Sequence, residues 1–396
     1  MLLYRERAHS VMDRYGLEAL VATTPANVTY LSDFRALSHE TLGAFVFVVL
    51  PRNRRTEPAI ILPTGEAADL VAMKMSWIKD VRTYGTFYVT VPKKRLTGME
   101  ATLGKMLSRV NSGDAFSLLR EVLEEKKLKG RIGLDEKYFS SADYSKLMSH
   151  LDGFDISPAY ETFREIRMVK NREEVEIMRE GNRITEDAIR AVLESARVGM
   201  SGAQLVKIFS DRVTSHGAAS LAPSIAIGED SYLQNIYVPS PRRLEKGSLI
   251  RFDVACTYKH HFTDIGRNAV MGGPSARQRK LYNVVYQGEE QALSLVREGT
   301  KASAVFERGV RAARESGMPA FKRHHCGHGI GLELYEPPLI VPSNDMPLQA
   351  GAVVNIETPY YEIGAGGFMV EDTVLVTKSR PEFLTKLDRG LLVIPN

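Results

Sequence analysis

Residues 249–271, LIRFDVACTYKHHFTDIGRNAVM, hold two apolar, partly β-branched runs on either side of a polar tip. That pattern predicts an antiparallel hairpin. With the turn centred between Tyr258 and Lys259, residues whose numbers sum to 517 face one another, and Asp253 and Asp264 are such a pair. Their Cβ atoms would stand about 5 Å apart on one face. Two carboxylates that close repel unless they share a proton or a cation.

The same logic recurs downstream. VVNIET (353–358) and FMVEDTVLV (368–376) read as strands, and YYEIGAGG (360–367) supplies the glycines of a tight connection, so Glu357 and Glu371 meet across it. His328 lies in HHCGHGIGLEL (324–334), where Gly327, Gly329 and Gly331 allow close approach of the backbone to a ligand. Read alone, each motif is a turn with solvated or core polar residues. Read together and in this order, Asp253, Asp264, His328, Glu357 and Glu371 form a hard, oxygen-rich set suited to a pair of divalent ions: manganese first, with cobalt, iron or zinc as alternatives. Such ions acidify water and polarise a carbonyl, so the expected chemistry is hydrolysis.

Carried by these motifs, the chain resembles the pita-bread metallopeptidases, the group of methionine aminopeptidase, aminopeptidase P, prolidase and the metal-free relative creatinase. RERAHSVMDRYGLEALVATTPANVTYLSDF (5–34) is similar to the opening of the creatinase-like N-terminal domain, and REIRMVKNREEVEIMR (164–179) to the start of the catalytic domain. The resemblance points to the prolidase, aminopeptidase P and creatinase branch. It implies an α+β fold, in which an α/β creatinase-like domain (1–158) precedes a pita-bread domain (159–396) with a curved antiparallel sheet backed by helices. It makes the five residues dinuclear metal ligands with Asp264 and Glu371 as bridges, Glu357 also a proton acceptor, and His324 a catalytic histidine that holds substrate. A homodimer is the implied assembly.

The chain departs from that pattern in the expected substrate pocket. Ile236 stands where the peptidases show a histidine seventeen residues before the first aspartate, and Tyr335 in ELYEPP where they show another. Met369 stands where prolidases and aminopeptidase P carry an arginine, and a thioether cannot replace a forked cation. Tyrosine, with its pKa near 10, is a poor proton carrier at neutral pH beside histidine. The leading expectation is a metallohydrolase of a peptide or amide C–N bond of a small substrate. The alternatives are a hydrolase or lyase specialised for a non-peptide molecule, as creatinase is, and a catalytically silent binding module.

Composition fits two domains: 44% of the 396 residues are hydrophobic, enough for two cores. The 52 basic and 48 acidic residues leave a net charge of +4, which gives no polyelectrolyte argument for nucleic acid. Two cysteines, Cys256 and Cys326, make no disulfide framework and fit a reducing cytoplasm as small buried side chains. No apolar h-region follows MLLYRER, and AFVFVVLP (44–51) is too short to span a bilayer, so a soluble cytoplasmic protein without membrane partners is expected. Asn171 with Glu174 predicts a capping box opening a long helix to about Ser195. His260 and His261 sit at the hairpin tip, where polar residues face water, and His325 is expected to point away from its neighbour His324. Tyr360, Tyr361 and Phe368 are candidates for either packing or a specificity pocket.

Overall fold

The computed structural model describes residues 1–107, 113–233 and 239–395, and the chain forms two compact units, Met1–Arg167 and Met168–Asn396. The helix Tyr160–Met168 lies almost wholly in the first unit.

The first unit is an α/β layer. Six strands run in the order Asp80–Tyr84, Ala59–Pro63, Phe47–Pro51, Leu17–Ala22, Arg131–Leu134 and Ile156–Pro158, with both parallel and antiparallel neighbours. Alternate residues of these strands, Ala19, Val21, Phe47, Val49 and Ile61, pack against Phe116, Leu119, Val122 and Leu123 of the helix Ala115–Glu125. Asp114 caps that helix by accepting from the amides of Phe116 and Ser117.

The second unit is a mainly antiparallel sheet of ten strands with helices behind it. Its central path runs Glu336–Leu339, Gly327–Gly329, Val353–Glu357, Glu371–Leu375, Ile265–Met271, Leu249–Tyr258 and Ala219–Ile227. The helix Arg172–Ser195 opens with the Asn171 and Glu174 capping box, and Gly202–Ser215 opens with a second box from Ser201 and Gln204. These two helices bury Ile184, Ile189, Val192, Leu205 and Phe209 against Ile225, Phe252 and Val254. The pair Ala276–Leu293 and Ala302–Glu315 buries Val305, Val310 and Ala313 against Val354, Ile356 and Val374. Strand side chains alternate between faces, so the residues between those core positions, Asp253, Asn355, Glu357 and Thr373, turn to the opposite face.

The hairpin that opened the sequence reading forms, with a register two residues away from the expected one. Tyr258 pairs with His261 and Asp253 with Gly266, so facing residues sum to 519. Lys259 and His260 both take positive φ, which is the type I′ turn whose twist matches the strands it joins. A two-residue shift preserves the face, because the side-chain period is two. Asp253 and Asp264 are therefore diagonal neighbours on one face and not direct partners. His261 is buried rather than solvated, with Nε2 3.5 Å from Oε1 of Glu174. Among the described residues no helix is long and apolar enough to cross a membrane.

Candidate metal centre

Strand register builds the site as two rows across the sheet. Glu357 pairs with Glu371, Glu371 with Gly266, and Gly266 with Asp253, one row across four adjacent strands. In the next row His328 pairs with Asn355 and Asn355 with Thr373, and Asp264 closes it two residues before Gly266. Gly266 keeps the middle of the first row open. A Cβ there would lie 2.6 Å from Cγ of Met369 and 2.9 Å from Cβ of Glu371.

His328 is placed by a strand in which a side chain at residue 327 is impossible. Gly327 has φ +134°, and a Cβ on it would meet the Asn355 carbonyl oxygen at 2.0 Å. The imidazole is buried, its Nδ1 lies 3.0 Å from the Gly329 carbonyl, and a carbonyl can only accept, so Nδ1 carries the proton. That leaves Nε2 as a lone pair with no hydrogen-bond partner, 3.8 Å from Oδ2 of Asp264. Burial takes the ring down to about 4, which keeps it neutral. One donor atom each from Asp264, His328 and Glu371 lie within 4.8 Å of one another.

Asp264, Glu357 and Glu371 are crowded and buried, and Asp253 is half-buried beside them. Burial, then Asp253 and Glu357, holds the Asp264 carboxyl well above the usual range, and burial, then Asp264, Glu357 and Asp253, does the same to Glu371. Glu357 is pushed up to about 7, chiefly by burial, with Arg323 opposing. This is the electrostatic signature of an anionic nest that needs protons or cations. An orphaned buried imidazole nitrogen beside mutually repelling carboxylates fits a divalent cation.

Around them stand residues that orient the set. Nδ2 of Asn355 donates to Oε1 of Glu371 at 2.9 Å and to the Asp264 carbonyl at 3.0 Å, while its Oδ1 accepts from the Thr373 hydroxyl at 2.9 Å. Arg251 is fully buried and donates to Oδ2 of Asp253 at 2.8 Å, to Ser224 and to the Leu233 carbonyl. Behind the sheet, Arg267 donates to the Glu371 carbonyl and pairs with Asp372 at 2.6 Å.

His324 is exposed, and its recorded ring contact is with His325. His325, expected to point away, has Nδ1 3.2 Å from Oε1 of Glu357. Tyr335 stacks on His328 with ring centroids 3.8 Å apart, and burial with the nearby carboxylates raises its phenol, so it keeps its proton. Met369 is buried over Gly266. Ile236 lies outside the described residues. Phe368 is buried in a hydrophobic cluster with Leu249, Val270 and Val285. The Tyr361 ring has the Arg251 guanidinium 5.4 Å and the Arg323 guanidinium 5.8 Å from its centre. Cys256 and Cys326 are free and buried, and burial pushes Cys326 up to about 12, far from the thiolate a metal needs.

Sequence reading missed Arg251, Arg323 and Asn355. A signal existed for two of them: Arg251 and Asn355 each precede a site carboxylate by two residues, hence share its face of the strand. Arg323 sits in an irregular segment that has no such period.

The model of metallopeptidase family M24 matches residues 176–378, and that of the creatinase/prolidase N-terminal domain matches residues 5–169. A Xaa-Pro dipeptidase of Pyrococcus furiosus is 31% identical over 234 residues, covering 59% of this chain and 67% of that protein. A Xaa-Pro dipeptidase of Pyrococcus horikoshii is 25% identical over 383 residues, 96% of each. Among solved structures, an X-Pro aminopeptidase from Thermotoga maritima superposes with TM-score 0.80 at 24% identity, covering 96% of this chain and 99% of that one. The prolidase from Pyrococcus horikoshii does so with TM-score 0.78 at 23% identity, covering 98% and 99%.

Proposed function

The chain belongs to metallopeptidase family M24, with a creatinase/prolidase N-terminal domain ahead of a pita-bread domain, and on that premise we propose a prolidase-like enzyme that hydrolyses the Xaa-Pro bond of small peptides. The observation that carries the reading is the unpartnered Nε2 of buried His328 facing carboxylates of Asp264 and Glu371 within 4.8 Å. Neither a specialised non-peptide substrate nor a silent binding module is favoured by the relatives.

Asp253, Asp264, His328, Glu357 and Glu371 would hold two divalent ions, with manganese the first choice. Bound there, the ions supply Lewis acidity and an activated water. The chain's own residues supply placement and proton handling. Glu357 takes up a proton on a carboxylate oxygen and returns it to the leaving nitrogen. His325 accepts the Gly327 amide on Nδ1 and stands 3.2 Å from that carboxylate, walling one side of it, and Tyr335 covers the His328 ring and offers a phenolic donor to an oxyanion.

The test is metal analysis together with turnover of Xaa-Pro dipeptides and longer Xaa-Pro peptides with manganese, cobalt, iron or zinc. Cleavage by an ion-loaded protein supports the reading, and no turnover with any of the four ions overturns it. Glu357→Gln is expected to lower kcat by at least about 100-fold with the fold intact by circular dichroism. Unchanged turnover would remove the proton role.

A further inference from the structure

Lys170 and Glu336 form an ion pair that the chemistry described above leaves unused. Nζ of Lys170 lies 2.7 Å from Oε2 of Glu336, and the two side chains are 1% and 0% accessible. Gly331 makes room for them, since a Cβ there would stand 2.9 Å from both Glu336 Oε2 and Lys170 Nζ. The other carboxylate oxygen, Oε1, accepts the Glu333 amide at 3.2 Å. One carboxylate thus gathers an irregular loop, residues 331–335, onto a lysine. Lys170 is itself fixed: its amide donates to the Gly351 carbonyl, and the capped helix Arg172–Ser195 starts two residues later.

Stability alone is a poor reason for such a pair. Taking two charges out of water costs about what their attraction returns, and well-packed apolar side chains in their place are commonly as stable or more so. What a buried pair with fixed partners adds is a single geometry for the chain that bears it. The residue next to Glu336 shows what needs that geometry. Tyr335 is 47% exposed, so burial does not hold its ring. Yet the ring lies on the buried His328 imidazole, with centroids 3.8 Å and planes 20° apart. A half-exposed side chain in one defined stack takes its position from its backbone, and that backbone is pinned at the adjacent residue.

We propose that the Lys170–Glu336 pair is a positioning device for Tyr335: it fixes residues 331–336 so that the phenol stands over the His328 ring. Both are positioning residues that act through Tyr335. The catalytic consequence rests on the peptidase reading above, whereas the placement of the loop does not.

The experiment replaces the pair by an apolar one, Lys170→Met with Glu336→Leu, in the full-length protein. Hydrogen exchange of the ion-free protein, read by mass spectrometry on peptides spanning 331–336, should speed up by at least about tenfold while the helices of the same unit keep wild-type protection. In the manganese-loaded protein kcat/KM for Xaa-Pro dipeptides should fall about 10- to 100-fold, the loss that misplacing one group by about an ångström brings. Tyr335→Ala should produce a loss of that size by itself. Adding the apolar pair to Tyr335→Ala should then cost nothing further, because both changes act through one ring, whereas a merely structural pair would give losses that add. Lys170→Met with Glu336→Gln keeps an acceptor for the Glu333 amide and should lie between wild type and the apolar variant; it carries the comparison if the apolar variant does not fold. Unchanged exchange at 331–336, or losses that add, overturns the proposal. If the wild type turns over no Xaa-Pro substrate, the peptidase reading fails while nitration of Tyr335 by tetranitromethane still decides the placement: a faster rate in the variant supports it, and an equal rate overturns it.

Discussion

Asn355 connects the metal-type side chains to the body of the sheet. It touches Glu371 and the Asp264 backbone with the same amide nitrogen and is itself oriented by Thr373, so three residues of two strands fix one carboxylate oxygen. Groups that hold a ligand commonly change ion affinity by 10- to 100-fold when removed. Thr373→Val removes the hydroxyl that Asn355 Oδ1 accepts from, and Asn355→Ala removes the donor to Glu371. Both variants are expected to bind manganese about tenfold or more weakly by isothermal titration, with Thr373→Ser close to wild type. Wild-type affinity in Asn355→Ala would show that Glu371 needs no such support. At this scale the ligand types were legible as Asp, His and Glu in ordered motifs. The supporting residues were not, because an asparagine or arginine two positions from a carboxylate has many bland explanations until its partner is known. His324 and His325 show the same limit, since the side chain that meets Glu357 is set by the irregular backbone before Gly327, which follows no period.

Among the elements, the hairpin 249–271 is held by its turn as much as by its strands. Lys259 and His260 both occupy the left-handed region, at φ 44° and 70°, where a side chain is strained and asparagine or glycine is at ease. Replacing them together with Asn-Gly should stabilise the protein by about 1 kcal/mol, read from the midpoint of urea unfolding. A lowered midpoint would mean that the tip makes contacts worth more than the strain. The helix Arg172–Ser195 was readable in advance because its cap is a chemical signal: Asn171 and Glu174 close a reciprocal pair at the first turn, and the Ser201 and Gln204 pair that opens Gly202–Ser215 does the same. The strand register was read two residues out. Hydrophobic alternation reports which face a residue takes and is blind to a shift of two.

The whole molecule brings four carboxylates together, three of them buried, and their mutual repulsion makes stability depend on pH and ions. In the ion-free protein Glu357 titrates at about 7 in the fold, against about 4.3 in an unfolded chain, and Asp264 and Glu371 are displaced in the same direction. The folded state then binds more protons than the unfolded one, so this contribution is fully present below about pH 4 and is lost as pH rises through about 7. Ion-free protein should melt at falling temperature between about pH 5 and pH 8, and the stabilisation given by added manganese should grow over the same interval, as calorimetry with and without chelator would report. An ion-free melting temperature that is flat across the interval would show that the carboxylates are relieved by some other means. The sequence by itself determined the two-domain order, the helices and the facing of each strand, because caps and periodicity are local, and it singled out five metal-type side chains by their chemistry. Only the tertiary structure decided that Asp253 faces Gly266, that His325 meets Glu357, and that Arg251 donates to Asp253. Each of those facts is a contact set by register, by packing or by backbone without a repeat.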